Sequence, residues 1–188
     1  LAGRAELSRA NGLKALWLAY FSQPAADRIL YRTIRKRKLR RIVEIGIGGG
    51  RRALRMISLA KRYRSANEVR YTGIDWFESR AVDSDQALSM KQAYRLLRGT
   101  SARIHLIPND ANEAFARLAN ALSANELIVI SSEEPPESLG RIWFFLPRML
   151  APGAVVLFSR IGEANRAWRE ISLKEIKSLG VGHRRRAA

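Results

Sequence analysis

Hydrophobic positions along the chain change their period in a regular way. From Arg41 onward, short runs rich in Ile, Val, Leu and Tyr at 42–46, 69–75, 103–107, 127–131 and 154–159 read as strands. Between them, apolar residues recur at helical spacing, as Ala53/Met56/Ile57/Ala60, Met90/Ala93/Tyr94/Leu97, Phe115/Leu118/Ala119/Leu122 and Leu139/Ile142/Trp143/Leu146/Met149/Leu150. This alternation predicts parallel strands joined by crossover helices, an α/β fold with a doubly wound sheet of at least five strands and helices on both faces. Leu127-Ile128-Val129-Ile130 is uninterrupted apolar sequence and suits a central strand covered on both faces, whereas Arg103-Ile104-His105-Leu106-Ile107 alternates like an edge strand.

Outside this core the pattern is weaker. Residues 1–40 read as one or two preceding helices ending in the basic run Arg32–Arg41, residues 41–179 as the principal domain, and 180–188, with Arg184-Arg185-Arg186, as a frayed basic tail. Only 29 residues follow Ser159, and 164–179 looks more helical than extended. The fifth strand is therefore expected to stand at an edge that a helix or a partner chain covers, which makes a homodimer conceivable.

Composition narrows the class. The chain carries 34 Lys+Arg against 17 Asp+Glu, a net charge of +17, yet its 47% hydrophobic content is enough to build a core, so disorder throughout is excluded. The absence of cysteine removes disulfides, zinc-thiolate sites and cysteine nucleophiles, and is compatible with a reducing cytoplasm, the expected location. With two histidines, His105 and His183, no metal centre is expected. No apolar run approaches the roughly 20 residues that cross a bilayer. The segment 15–21, preceded by Arg4, Arg9 and Lys14, imitates a short secretory core but also fits an amphipathic helix.

The chemistry-bearing segment is Ile42-Val43-Glu44-Ile45-Gly46-Ile47-Gly48-Gly49-Gly50, a strand running through a glycine turn into a helix. Such turns let backbone approach a ligand and leave amide N–H groups at a helix N-terminus. The next strand ends at Asp75-Trp76, where a carboxylate can accept hydrogen bonds from ribose hydroxyls, and the third strand is followed by Asn109-Asp110-Ala111. All three loops fall at the carboxyl edge, where open α/β sheets bind ligands. A nicotinamide dinucleotide site would need glycine where Arg51 stands.

The acidic-x-Gly-x-Gly-x-Gly pattern of Glu44, Gly46, Gly48 and Gly50 resembles the first motif of the class I S-adenosylmethionine-dependent methyltransferases, a Rossmann-like superfamily, over about residues 40–160. The resemblance implies that S-adenosylmethionine is the cofactor, that the glycine turn packs against its methionine part, and that Glu44 helps hold its amino group. It also implies that Asp75 binds the ribose, that Trp76 lies against the adenine, and that Asp110 with the amide of Ala111 reads the exocyclic amine. Trp76 would equally serve as a core residue and Asp110 as the cap of a helix starting at Ala111. That superfamily usually finishes its sheet with two further strands, so the terminal hairpin is expected to be reduced or absent here.

The methyl acceptor is not written in those motifs. After the fourth strand comes Ser131-Ser132-Glu133-Glu134-Pro135-Pro136. This departs from the Asp/Asn-Pro-Pro-aromatic motif of amino-methylating nucleic-acid enzymes, since Glu137 follows the prolines. It also departs from metal-dependent catechol-type enzymes, since Ser131 replaces their aspartate. Glu133 is the candidate base for an oxygen acceptor, with a solvated helix-start charge as its plainer role. A small-molecule acceptor is expected. The basic run, with seven cations in ten positions, leaves an RNA-directed enzyme open, and the missing signature after strand four leaves a non-catalytic binding module open.

Overall fold

A computed structural model describes residues 12–79, 88–133, 135–160 and 167–186. Helix α1 (12–20) and helix α2 (Arg28–Arg37) precede a run of alternating strands and helices. These are β1 (Arg41–Ile45), α3 (Arg51–Ala60), β2 (Arg70–Asp75), α4 (Met90–Arg98), β3 (Arg103–Pro108), α5 (Ala111–Leu118), β4 (Asn125–Ser132), α6 (Gly140–Met149), β5 (Leu150–Arg160), β6 (Arg169–Glu170) and α7 (Leu173–Arg186). The strands form one sheet in the order β3-β2-β1-β4-β5-β6, parallel except for β6. All five expected strands are present, with β3 at an edge and β4 inside.

Period-two alternation assigns each strand residue to one of two apolar layers. Ile42, Tyr71, Leu127, Val129, Val155 and Leu157 face α1 to α4. Val43, Ile45, Ile74, Ile128, Ile130 and Val156 face α5, α6 and α7. The unbroken apolar run of β4 is thereby explained, because Leu127 and Val129 enter one layer while Ile128 and Ile130 enter the other. On α6, Ile142, Trp143, Leu146 and Met149 are buried as one stripe, and Trp143 Nε1 donates to the Pro136 carbonyl at 2.5 Å, fixing the connection from β4.

The C-terminal region bears out the expected reduction of the terminal hairpin. The terminal hairpin is reduced to the two-residue β6, antiparallel to β5, which pairs with Leu157 and Phe158, so the edge of β5 is covered in part by the chain itself. The ground for expecting a partner chain there falls away to that extent. Helix α7 continues to Arg186.

The basic run is divided between roles. Arg35, Lys36 and Arg37 occupy the last turn of α2, where cations complement the helix dipole. Arg37 donates to the Gly153 carbonyl at 2.7 Å, and the backbone N–H groups of Arg40 and Arg41 both donate to Glu126. Ile34 and Leu39 within the run are buried.

Candidate active site

The glycine turn between β1 and α3 sits at the carboxyl edge of the sheet, between the ends of β2 and β4. Gly46 (φ +78°), Gly48 (+57°) and Gly50 (+71°) are all left-handed. A Cβ on Gly46 would lie 2.9 Å from the Ser131 carbonyl, so this residue is glycine because β1 passes tight against β4. A Cβ on Gly48 would meet nothing within 4 Å, which marks the open side of the turn. Gly50 faces the side chains of Leu88 and Leu96 and belongs to the packing of α4.

Asp75 ends β2 almost buried, and its Oδ2 accepts from the Ile47 N–H at 2.7 Å and the Gly48 N–H at 3.2 Å. Two charge-assisted bonds to successive amides clamp the turn to β2. The Asp75 carbonyl also accepts from the Asn109 N–H at 3.1 Å, tying the β3 loop to the same corner. Trp76 follows immediately and is 48% exposed rather than packed into the core. Asp110 is the N-cap of α5, with Oδ2 accepting from the Asn112 and Glu113 N–H groups at 3.0 and 3.3 Å. Ala111 is the first residue of that helix.

Glu44 does not reach this open side. It is fully buried on the α3 side of the sheet, with Oε1 accepting from Arg52 Nε at 2.5 Å and Oε2 from the Tyr71 hydroxyl at 2.5 Å. There the carboxylate anchors β1 to α3 and β2. Alternation along β1 is the reason, since Glu44 shares the face of Ile42. Arg52 also donates from Nη2 to the Gly46 carbonyl at 2.7 Å and lies 5.0 Å over the Trp168 ring, whose Nε1 donates to Asp27 at 3.0 Å. This network of Asp27, Glu44, Arg52, Tyr71 and Trp168 is the part that sequence reasoning missed. Its one legible sign is a glutamate at an inward position of a buried strand, which demands a buried counter-charge.

Burial pushes the Glu44 carboxyl above the usual carboxylate range, against the opposing pull of Arg52 and the Tyr71 hydroxyl. Burial also works against the charge on Arg52, but the neighbouring Glu44 outweighs it and holds the guanidinium protonated. The Tyr71 phenol is driven well up by burial and then by Glu44. Tyr31, in α2 on the same side, is pushed up to about 12 by burial and by Asp27.

At the other side of the turn, β4 and β5 end in register, Ser131 beside Ser159 and Ser132 beside Arg160. Arg160 Nε donates to the Glu133 carbonyl at 3.2 Å, and the Glu133 side chain is exposed at the mouth. Glu134 lies outside the described residues. Among the described residues no group of three or more His, Asp or Glu gathers as a metal site, and no helix is long and apolar enough to cross a membrane.

A strand-turn-helix clamped at the carboxyl edge of a 3-2-1-4-5 parallel sheet defines a class, and comparisons with known proteins agree. The family model described as Methyltransferase domain matches residues 43–159. The O-methyltransferase TomG from Streptomyces achromogenes, involved in tomaymycin synthesis and solved with S-adenosylmethionine, superimposes with a TM-score of 0.53 at 16% identity, covering 88% of this chain and 69% of its own. A S-adenosylmethionine-dependent methyltransferase from Agrobacterium tumefaciens gives 0.53 at 14% identity, covering 83% and 48%. No curated protein sequence matches the chain. The chain belongs to the methyltransferase-domain family, with a Rossmann-like sheet.

Proposed function

We propose that the protein transfers the methyl group of S-adenosylmethionine to an oxygen of a small molecule bound at the carboxyl edge, over the turn Gly46–Gly50. The observation that carries this reading is the clamp of Asp75 on the Ile47 and Gly48 amides, which holds the open side of Gly48 at the end of β2, where the exposed Trp76 follows Asp75 in the chain. The residues fit the cofactor, because Gly48 presents bare backbone, Trp76 an aromatic face, and Asp75 a carboxylate at the end of β2. S-adenosylmethionine, when bound, supplies a methyl carbon made electrophilic by its sulfonium.

The chain's own task is then alignment and proton removal. In-line displacement gains most from holding the two partners in a near-attack arrangement. The rigid β1–β2–β4 corner, with Gly46 pressed on Ser131, is suited to fix one partner. For an oxygen acceptor, Glu133 is the carboxylate we assign to receive the proton. An O-methyltransferase such as TomG has the same fold, which supports an oxygen acceptor without naming it.

Calorimetry with S-adenosylhomocysteine tests the cofactor site. Binding is expected to weaken by about tenfold or more in Asp75→Ala, as loss of a charge-assisted contact predicts. An affinity weaker than about 1 mM, or one unchanged by Asp75→Ala, overturns the assignment. Cell extract incubated with methyl-labelled S-adenosylmethionine then tests the acceptor. Label in small molecules supports the reading, label in RNA replaces it by an RNA-directed enzyme, and binding with no label replaces it by a non-catalytic module.

A further inference from the structure

At the opposite, amino edge of the sheet three arginines stand side by side. Arg41 opens β1, Arg70 opens β2 and Arg103 opens β3, and the strand register pairs Arg41 with Arg70 and Arg70 with Arg103. Neighbouring strands lie about 4.8 Å apart, and residues in register project to the same face, so the three side chains form a ladder. Ile42, Tyr71 and Ile104, the next residue on each strand, turn to the α3 side, which leaves the ladder on the face of α5.

Among the described residues no carboxylate pairs with the side chain of Arg41, Arg70 or Arg103; Glu68 and Glu126 pair with Arg40 instead. Like charges on adjacent strands are unfavourable, so the fold carries a strain that an anion would relieve. Together with Arg40, Asn67 and Glu68, the ladder lines a cavity of about 210 Å³. That is smaller than the roughly 300–1,000 Å³ of pockets for drug-sized ligands, and it suits a compact ligand. Guanidinium forks recognise phosphate oxygens two at a time, and Asn67 adds an amide donor. Glu68 is held by the Ser65 hydroxyl and backbone, so it forms one wall and turns an anion toward the ladder.

We propose that this amino-edge cavity binds a compact multivalent phosphate anion, a phosphate monoester or a diphosphate, through Arg41, Arg70 and Arg103. The site is separated from the carboxyl-edge methyl-transfer site by the length of the strands, and its occupant differs from the cofactor and the acceptor.

Titration calorimetry with pyrophosphate at constant ionic strength tests it on the full chain. Three proteins are compared: the natural chain, Arg70→Ser/Arg103→Ser, and the charge-matched Arg32→Ser/Lys36→Ser. The ladder variant is expected to lose about tenfold or more in affinity, the factor that one charge-assisted bond supports, while the charge-matched variant stays within about twofold. Both pairs are exposed, so both variants should fold, and without anion the ladder variant should melt no lower than the natural chain. No binding, or equal losses in the two variants, overturns the proposal and leaves only the general attraction of a +17 chain. An oligoribonucleotide that binds the ladder where pyrophosphate does not overturns it in favour of a nucleic-acid backbone.

Discussion

Arg52 reaches back from the first turn of α3 to hold two points on the end of β1, donating to Glu44 Oε1 at 2.5 Å and to the Gly46 carbonyl at 2.7 Å. One side chain thus fixes both the buried acid and the first glycine of the β1–α3 turn, and the turn's shape depends on a buried charge pair.

Removing one member of that pair leaves the other charged and buried. Arg52→Met is expected to cost about 3–5 kcal/mol of stability, while Glu44→Leu/Arg52→Met, which removes both charges, should cost clearly less than either single change. Urea unfolding of the three variants measures this. Additive losses would show that the two side chains act independently and that Arg52 is not the anchor of the turn.

How far the sequence discloses this arrangement depends on the range of each contact. The strands and their placement are visible because β4 is apolar without a break from Leu127 to Ile130 and β3 alternates, which are local facts. The glycine turn and Asp75 are visible because their chemistry is carried by residue type. Glu44 alternates with Val43 and Ile45, which already puts it with Ile42 on the α1–α4 face of the sheet. Its partner Arg52 is hidden among many other arginines. Trp168 lies in a stretch with no period, and its bond to Asp27 spans 141 residues, which no local pattern encodes. The two-residue β6 is too short to leave a periodic trace.

Gly46 and Gly48 are expected to respond differently to alanine. Both are left-handed, which costs alanine about 1–2 kcal/mol, but only Gly46 would also press a Cβ against the Ser131 carbonyl at 2.9 Å. Gly46→Ala should therefore unfold at a lower denaturant concentration than Gly48→Ala. Gly48→Ala should keep most of its stability and lose S-adenosylhomocysteine affinity, because its methyl points to the open side. Equal stability losses would show that the β1–β4 contact is looser than described, and unchanged affinity in Gly48→Ala would move the cofactor elsewhere.

Alkaline pH should destabilise the fold through its buried phenols. An unfolded tyrosine releases its proton near 10, whereas Tyr31 in the fold holds it to about 12, and Tyr71 is raised in the same direction. Between those values the unfolded chain binds fewer protons than the folded one, so stability is fully present below pH 10 and falls as pH rises toward 12. Phenolate absorbance should show Tyr31 and Tyr71 titrating only with unfolding. Tyr31→Phe should flatten the alkaline loss, and a midpoint independent of pH across this window would contradict the burial argument.

Glu133 should matter for turnover more than for folding. It follows the most apolar strand, stands exposed at the mouth, and has its backbone carbonyl fixed by Arg160. An exposed carboxylate with no described packing role can be exchanged for its amide at little loss of stability. If it receives the acceptor's proton, Glu133→Gln lowers turnover by roughly 10²–10⁴-fold and leaves S-adenosylhomocysteine affinity nearly unchanged. Glu137→Gln, in the exposed turn Pro136–Ser138 a few residues on, is the internal control and should keep its activity. The pH profile separates positioning from proton transfer, because removal of a general base abolishes the rising acidic limb that a merely misplaced acceptor retains. Equal, small losses in both variants would reduce Glu133 to an ordinary surface charge, and the base would have to be sought among groups brought in by the acceptor itself.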